Sequence, residues 1–155
     1  MTAIVFTPDE IRRWAYAGVD RRVSAMIAGR KGAHGFNRDD FWQLDLEGLL
    51  AEAAVAKHLG VHFSPVTGAL DTASGDVGDT GLQVRSTKHT NGSLIIHESD
   101  DDHHKFILVT GSQGRYDVRG WCVAREVKLK EYWKVYKTRG SFWVPQSALR
   151  SMDEL

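Results

Sequence analysis

The sequence predicts a single α+β domain over residues 1–155, with N-terminal helices packed on a central mixed, mainly antiparallel sheet. Two observations carry this prediction. Apolar residues recur at three- and four-residue steps as far as Gly60, and short alternating or continuously apolar runs follow them. Helices followed by a run of strands are typical of α+β proteins. A chain of 155 residues is long enough to bury a core of this kind.

Capping signals mark two helices. Thr7-Pro8-Asp9-Glu10 has the pattern of a capping box with proline at the first helical position, and it predicts a helix that ends near Gly29. A loop is expected over residues 30–35. The second helix is expected to begin between Asn37 and Asp40 and to end at Gly60, because glycine suits the C-terminal end of a helix.

Beyond Gly60 the pattern becomes that of short strands, broken by turn residues at 111–114 and by an irregular Gly- and Asp-rich segment at 71–80. A short final turn or helix is expected from Pro145, which suits a first helical position. The predicted strands lie at residues 61–63, 82–87, 94–96, 106–109, 116–118 and 120–129.

Composition narrows the class of protein. The net charge of zero argues against a chain coated in positive potential, although basic residues cluster over residues 119–139. The single cysteine, Cys122, excludes an internal disulfide. No apolar stretch has the length of a membrane span, and the first residues lack the pattern of a signal peptide. These features predict a cytoplasmic protein with no membrane partner.

Glu52 stands where the second helix should place a core residue. At about 100° per residue it lies within about 20° of Phe41 and Leu59 on the apolar face, among small neighbours. A buried carboxylate must be paired, protonated or bound to a metal. If it is unpaired, a neutral amide should preserve or raise stability; the alternative is a structural salt bridge to Lys57 or an arginine. Glu47, off this face, is expected to be a solvated acid.

A second acid precedes a strand. Asp76 stands shortly before Leu82–Thr87, where alternation puts Gln83 and Arg85 on one face and Leu82 and Val84 on the core face. Asp71 and Asp79 are alternatives to Asp76. Asp79 lies in Gly78-Asp79-Thr80-Gly81, which favours a turn.

Glu52, Asp76 and Gln83-Val84-Arg85 together resemble the PD-(D/E)XK nuclease superfamily, especially its small phage and restriction-type members. That pattern has a helix acid, an acid at a strand, and acid-x-Lys on the next strand. The resemblance covers roughly residues 40–125 and implies a restriction-endonuclease-like core that hydrolyses nucleic-acid phosphodiesters. It implies catalytic roles for Glu52, Asp76, Gln83 and Arg85. It also implies a Mg²⁺ or Mn²⁺ ion bound by the Glu52, Asp76 and Gln83 side chains and the Val84 carbonyl, which should therefore converge.

The sequence departs from that pattern twice. Gln83 replaces the second acid, and its amide oxygen can still bind a cation. Arg85 replaces lysine; it stays protonated, so it can stabilise a phosphate but cannot act as a base. Lys88 or Lys57 could compensate. The alternative function is therefore a catalytically inactive nuclease-fold module that binds nucleic acid or a partner protein.

The resemblance also implies partners and a place in the cell. Nucleic acid, with DNA favoured, is the expected partner, and a small nuclease that cuts both strands suits a homodimer. The expected compartment is the cytoplasm of a bacterium or a phage-infected host.

The run His97–His104 contains histidines and carboxylates that can bind a transition metal, but its place between two apolar strands favours a solvated loop. The predicted nucleic-acid-binding residues are Lys88, Arg125, Lys128 and Lys130.

Overall fold

The structure of the protein is a computed structural model, which describes residues 3–29, 41–65, 75–78 and 80–155. Its first helix, α1 (Pro8–Ile27), begins with the predicted capping box. The Thr7 hydroxyl accepts a hydrogen bond from Glu10 N at 3.2 Å, and the Glu10 carboxylate accepts one from Thr7 N at 2.7 Å. These two bonds satisfy amide groups that the first turn of a helix leaves without backbone partners. The prediction of this helix is confirmed.

The second helix, α2 (Phe41–Leu59), is also confirmed. It ends before Gly60, whose φ of 67° is easily adopted only by glycine. Its predicted start at residues 37–40 and the predicted loop at 30–35 lie outside the described residues. Within the described ranges, no helix combines the length and apolar character needed to cross a bilayer.

The two helices approach each other closely at Gly18. A Cβ atom added there would lie 2.9 Å from the Leu46 Cα, which is backbone and cannot rotate away. This close approach brings the Arg21–Arg22 turn of α1 onto the flank of α2, where Asp45 and Glu52 lie. The glycine therefore helps to set the geometry of the charged cluster described below.

Seven strands in the described residues form two sheets. In the first sheet the order is β1-β5-β4-β2; β2 is parallel to β4 and the other pairs are antiparallel. The second sheet is antiparallel with the order β3-β7-β6. The predicted α+β class with a mixed, mainly antiparallel sheet is confirmed. The strands are β1 (Ala3–Val5), β2 (Leu82–Thr87), β3 (Leu94–Ile96), β4 (Lys105–Ser112), β5 (Arg115–Val123), β6 (Trp133–Tyr136) and β7 (Arg139–Val144).

Several strand predictions need correction. Residues 61–63 form no strand; only Phe63 of that run is buried. The strands predicted at 116–118 and 120–129 are one strand, β5, which ends at Val123, and the short helix α3 (Ala124–Val127) follows it. The sequence patterns gave no prediction for β1, β6 or β7. The predicted turn after Pro145 is a 3₁₀ helix at Gln146–Ala148.

The four-stranded sheet has an apolar core on each face. On one face α2 packs against Ile107 and Val109 of β4. On the other face Phe106 and Leu108 pack against the three-stranded sheet. Side chains alternate along β4, so one strand contributes to both cores. The result is three layers: helices, mixed sheet and antiparallel sheet.

Two helical glycines give a test of this packing. Gly18→Ala should lower the free energy of unfolding by about 1–3 kcal/mol, because its methyl group would overlap the Leu46 backbone. Gly48→Ala is the matched control: a Cβ there meets no atom within 4 Å, so alanine should stabilise α2 by up to about 1 kcal/mol. Denaturant unfolding measures both. Equal effects of the two substitutions would contradict the close approach at Gly18.

Candidate active site

Glu52 is buried on α2, and only 8% of its surface is exposed. Its Oε1 and Oε2 atoms accept hydrogen bonds from Nη1 and Nη2 of Arg21, both at 2.8 Å. This parallel pair of bonds is the strongest geometry for an arginine and a carboxylate. Of the two partners considered for Glu52 from the sequence, the arginine is the one found. Lys57 instead contacts Glu10, at 2.7 Å.

Arg21 was not predicted as a site residue, although the sequence carries a signal for it. Trp14, Gly18 and Arg21 follow one another at four- and three-residue steps, so the arginine continues the inward-facing stripe of α1. A cation on the stripe of one helix and an acid on the stripe of the next can neutralise each other only if the two helices pack together. Sequence periodicity does not give that pairing.

Asp76 lies at the outer edge of β2, the last strand of the mixed sheet. Its amide donates to the Leu82 carbonyl at 2.7 Å, and its Oδ2 accepts from Val84 N at 2.7 Å. The preceding Gly75 has a φ of 81°, and a Cβ there would lie 2.6 Å from Leu82 N. Asp76 is therefore held against the strand edge by main-chain contacts that require glycine before it.

The charges around Glu52 do not balance. Three carboxylates, those of Asp45, Glu52 and Asp76, share the region with the guanidinium groups of Arg21 and Arg22. Burial raises the pKa of Glu52 to about 7, and the negative charges of Asp76 and Asp45 add to the rise, although Arg21 opposes it. Around Glu52, three carboxylates thus face two guanidinium groups, and Arg85 adds a third positive charge near Asp76.

Burial also raises the pKa of Asp76. The hydrogen bond from Val84 N and the positive charges of Arg21 and Arg85 oppose this rise. Asp76 therefore interacts electrostatically with Arg21 in the helical layer and with Arg85 on the opposite face of the sheet. Two acids with raised pKa values, brought together from separate elements, are typical of functional sites.

Gln83 and Arg85 share a face of β2, as alternation predicts, but it is the face away from α2. Gln83 aligns with Phe106, and the Arg85 guanidinium lies over the Phe106 ring at 5.2 Å. Phe106 belongs to the core beneath the three-stranded sheet, whereas Leu82 packs in the helical core. The expectation that the Glu52, Asp76 and Gln83 side chains converge on one face is therefore not met. The sheet separates Gln83 from Glu52.

Arg85 has an acidic partner of its own. Its Nη2 atom lies 2.8 Å from Asp100 Oδ1, and Asp100 Oδ2 accepts a hydrogen bond from His97 N. Asp100 belongs to the connection between β3 and β4, where a solvated loop was predicted. The segment is a connection, but it is organised by its own hydrogen bonds.

The four predicted nucleic-acid-binding residues differ in their exposure and in their contacts. Lys128 is folded back on the β3–β4 connection, where its Nζ contacts the Glu98 and Asp100 carbonyls at 3.0 and 2.6 Å and Asp102 Oδ1 at 2.6 Å. Its ammonium group holds that connection in place. Lys88, Arg125 and Lys130 are exposed.

Glu47 differs from its prediction as a solvated acid. It is only half-buried, but its carboxylate accepts hydrogen bonds from the Tyr116 hydroxyl at 2.5 Å and from Gln113 N at 3.1 Å. Burial and this neighbouring carboxylate raise the pKa of Tyr116. Glu47 therefore ties α2 to the hairpin between β4 and β5.

The described residues offer a divalent cation fewer ligands than the sequence implies. No group of three or more acids, histidines or cysteines in the described ranges has the spacing to hold a metal ion. Asp76 and the Val84 carbonyl remain, because both peptide groups of an extended residue point to the same strand edge. Glu52 can join them only when Arg21 releases it. Asp71 and Asp79, the alternatives to Asp76, lie outside the described residues.

Comparisons with known proteins give no family assignment: no protein-family model matches the chain, and no curated protein or solved structure matches it either.

The pKa of Glu52 predicts a pH dependence of stability. Its folded value of about 7 exceeds the ordinary 4.5, so the folded state retains a proton that the unfolded state loses between these values. The free energy of unfolding should therefore fall for the wild type, relative to Glu52→Gln, as the pH rises through this window. Chemical denaturation at about pH 5, 6, 7 and 8 measures the difference. A difference that is constant, or that changes in the opposite direction, would mean that Arg21 keeps Glu52 ionised throughout.

Proposed function

We propose that this protein is a metal-dependent nuclease of the PD-(D/E)XK type, with its site at the outer edge of β2. The observation that carries the proposal is that two carboxylates, the buried Glu52 and the partly buried Asp76, interact with the Arg21 guanidinium beside that edge. Such a site concentrates carboxylates around the side chain of one arginine. A divalent ion would meet the same electrostatic demand.

The ligands in this proposal are Asp76, the Val84 carbonyl and, once Arg21 withdraws, Glu52. Mg²⁺ takes oxygen ligands and usually keeps several waters, so this small set is sufficient in number. When bound, such an ion neutralises charge on a phosphodiester and lowers the pKa of a water. Before the ion binds, the positive charge of Arg21 offsets the repulsion between the Glu52 and Asp76 carboxylates.

In this proposal Arg85 acts from the other face of β2; Gln83 lies on that face as well and is not one of the ligands. Because β2 is the edge strand, a phosphate beside Asp76 can be approached from both faces of the sheet. Arg85 would stabilise charge on the phosphate, for which its permanent charge suits it. Its present partner, Asp100, would have to be exchanged for that phosphate.

The wider proposal follows the same resemblance. It comprises one nuclease-like domain over residues 1–155 with a restriction-endonuclease-like core, a DNA substrate, a homodimer for cutting both strands, and action in the cytoplasm. The support from the fold is the layer of helices on a mixed sheet, with the helix acid close enough to Asp76, beside the sheet edge, for the two charges to interact.

A second candidate is a nuclease-fold module that binds nucleic acid or a partner protein without cleaving it. The observation that favours it is the Arg21–Glu52 pair, which uses both carboxylate oxygens of the helix acid. The arginine at position 85 points the same way, because it cannot act as a base.

Arg21 provides a test of metal binding that needs no substrate. Arg21→Ala should lower the free energy of unfolding by about 3 kcal/mol or more, because it leaves buried carboxylates without their cation. Millimolar Mg²⁺ or Mn²⁺ should restore part of the lost melting temperature in this variant, and Asp76→Asn added to it should remove that rescue. Arg12→Ala is the control, since its ion pair with Asp9 is exposed and worth little. Destabilisation without metal rescue would leave Arg21 a purely structural residue.

Cleavage assays distinguish the two candidates. Single- and double-stranded DNA and RNA are incubated with the protein in Mg²⁺, in Mn²⁺ and in chelator. The nuclease proposal expects metal-dependent cleavage that Asp76→Asn and Glu52→Gln abolish, while the exposed-surface controls Asp20→Asn and Glu131→Gln leave it unchanged. Binding without cleavage under every condition would support the second candidate.

Substitutions of Arg85 in the same cleavage assay test its role in catalysis. Arg85→Ala should lower turnover by the roughly 10²- to 10³-fold typical of losing one donor to the transition state. Arg85→Lys should retain activity, because the family pattern has lysine at this position. If both substitutions reduce turnover equally, or neither does, Arg85 has no role in the chemistry and its pair with Asp100 is structural.

A further inference from the structure

The outer face of the three-stranded sheet is the surface that the candidate active site leaves unexplained. Strand pairing puts Leu94, Ile96 and Val144 on the inner face, where all three are fully buried. Alternation therefore turns the next residue of each strand outward. The outer face consists of Ile95, Lys134, Tyr136, Arg139, Ser141 and Trp143.

Aromatic and basic side chains alternate along this outer face. Tyr136 pairs across the hairpin with Arg139, Lys134 is two residues back on β6, and Trp143 is four residues on along β7. The Lys134 ammonium lies 5.6 Å from the Trp143 ring centroid, within the range of a cation–π contact. Of the six residues, none is acidic and two are cationic. The face is therefore positive, although the chain as a whole is neutral.

The two aromatic rings are available in different ways. Tyr136 is 65% exposed, so its ring is accessible to a partner. Trp143 is half-buried, and its indole N–H donates to the Ser141 hydroxyl at 2.9 Å. That bond joins residues two apart on one strand, so it holds the indole along the sheet. The indole is thereby held on the outer face beside the Lys134 ammonium.

We propose that this outer face binds single-stranded nucleic acid by stacking bases on Tyr136 and Trp143 and by contacting phosphates with Lys134 and Arg139. Aromatic rings interleaved with cations on an open sheet face match both parts of a single strand, the base and the backbone. In a duplex the faces of the bases are stacked on one another, so a duplex would contact only Lys134 and Arg139 through its phosphates. The proposal does not rest on the nuclease assignment, because none of these residues belongs to that site.

The hairpin provides a matched pair of variants. Val135 and Tyr136 are adjacent on β6 and both 65% exposed, but they lie on opposite faces. Tyr136→Ala should weaken binding of a deoxythymidine oligomer of about 12 nucleotides by roughly 5-fold or more. Val135→Ala should leave the affinity unchanged. Fluorescence anisotropy in chelator measures both without interference from cleavage.

Salt dependence tests the phosphate contacts. Lys134→Ala combined with Arg139→Ala should reduce the slope of log affinity against log salt by about 1.4, since each phosphate contact to a single strand contributes about 0.7. Arg12→Ala removes a cation from α1 and should not change the slope. Quenching of tryptophan fluorescence on binding, lost in Trp143→Phe, would support stacking on that ring.

Each outcome bears on the proposal. Selective loss of affinity in Tyr136→Ala, with single strands bound more tightly than duplex, supports it. No binding, equal effects of Val135→Ala and Tyr136→Ala, or an acidic peptide that binds as tightly as the oligomer would overturn it. Because binding is measured in chelator and cleavage in Mg²⁺ or Mn²⁺, failure of the nuclease proposal would be seen separately, as absent cleavage.

Discussion

The buried ion pair between Arg21 and Glu52 is the constraint on which the arrangement of this protein depends. It lies where α1, α2 and the edge of the mixed sheet meet, and both carboxylate oxygens are used in it. Burying a charge is costly unless it is paired and hydrogen-bonded, so a packing of the helices that separated the two groups would be penalised. The close approach at Gly18 is what allows the packing that keeps them together.

The pair also links stability to the proposed chemistry. A site that binds a divalent cation must hold carboxylates close together, and this cost has to be met before the cation arrives. Here Arg21 reduces the repulsion between the carboxylates. The reduction is incomplete, because Asp76 and Asp45 still raise the pKa of Glu52. Arg21, which stabilises the folded chain, therefore competes with the proposed divalent cation for the Glu52 carboxylate.

The three layers separate two kinds of surface. The acidic cluster lies on the helical side of the mixed sheet and at its outer edge, whereas the aromatic and basic outer face lies on the antiparallel sheet. A chain with no net charge can in this way offer a positive surface to a polyanion.

Much of the local structure followed from the sequence alone. The capping box at Thr7, the helix end at Gly60, the alternation in Leu82–Thr87 and the apolar strand centred on Ile107 were all predictable, because each depends on neighbours within a few residues. So was the burial of Glu52. The strands β6 and β7 were not predicted, since β6 is exposed along its whole length and the two strands are held in the sheet by the pairing of β6 with β7 and of β7 with β3.

Tertiary structure decided the rest. Which cation neutralises Glu52 depends on how two helices pack, and Arg21 lies 31 residues away along the chain. Which face of the sheet Gln83 and Arg85 occupy depends on the parallel pairing of β2 with β4 and on the layer that covers each side. Periodicity says that two residues share a face, but it cannot say what lies opposite, because long-range packing sets that.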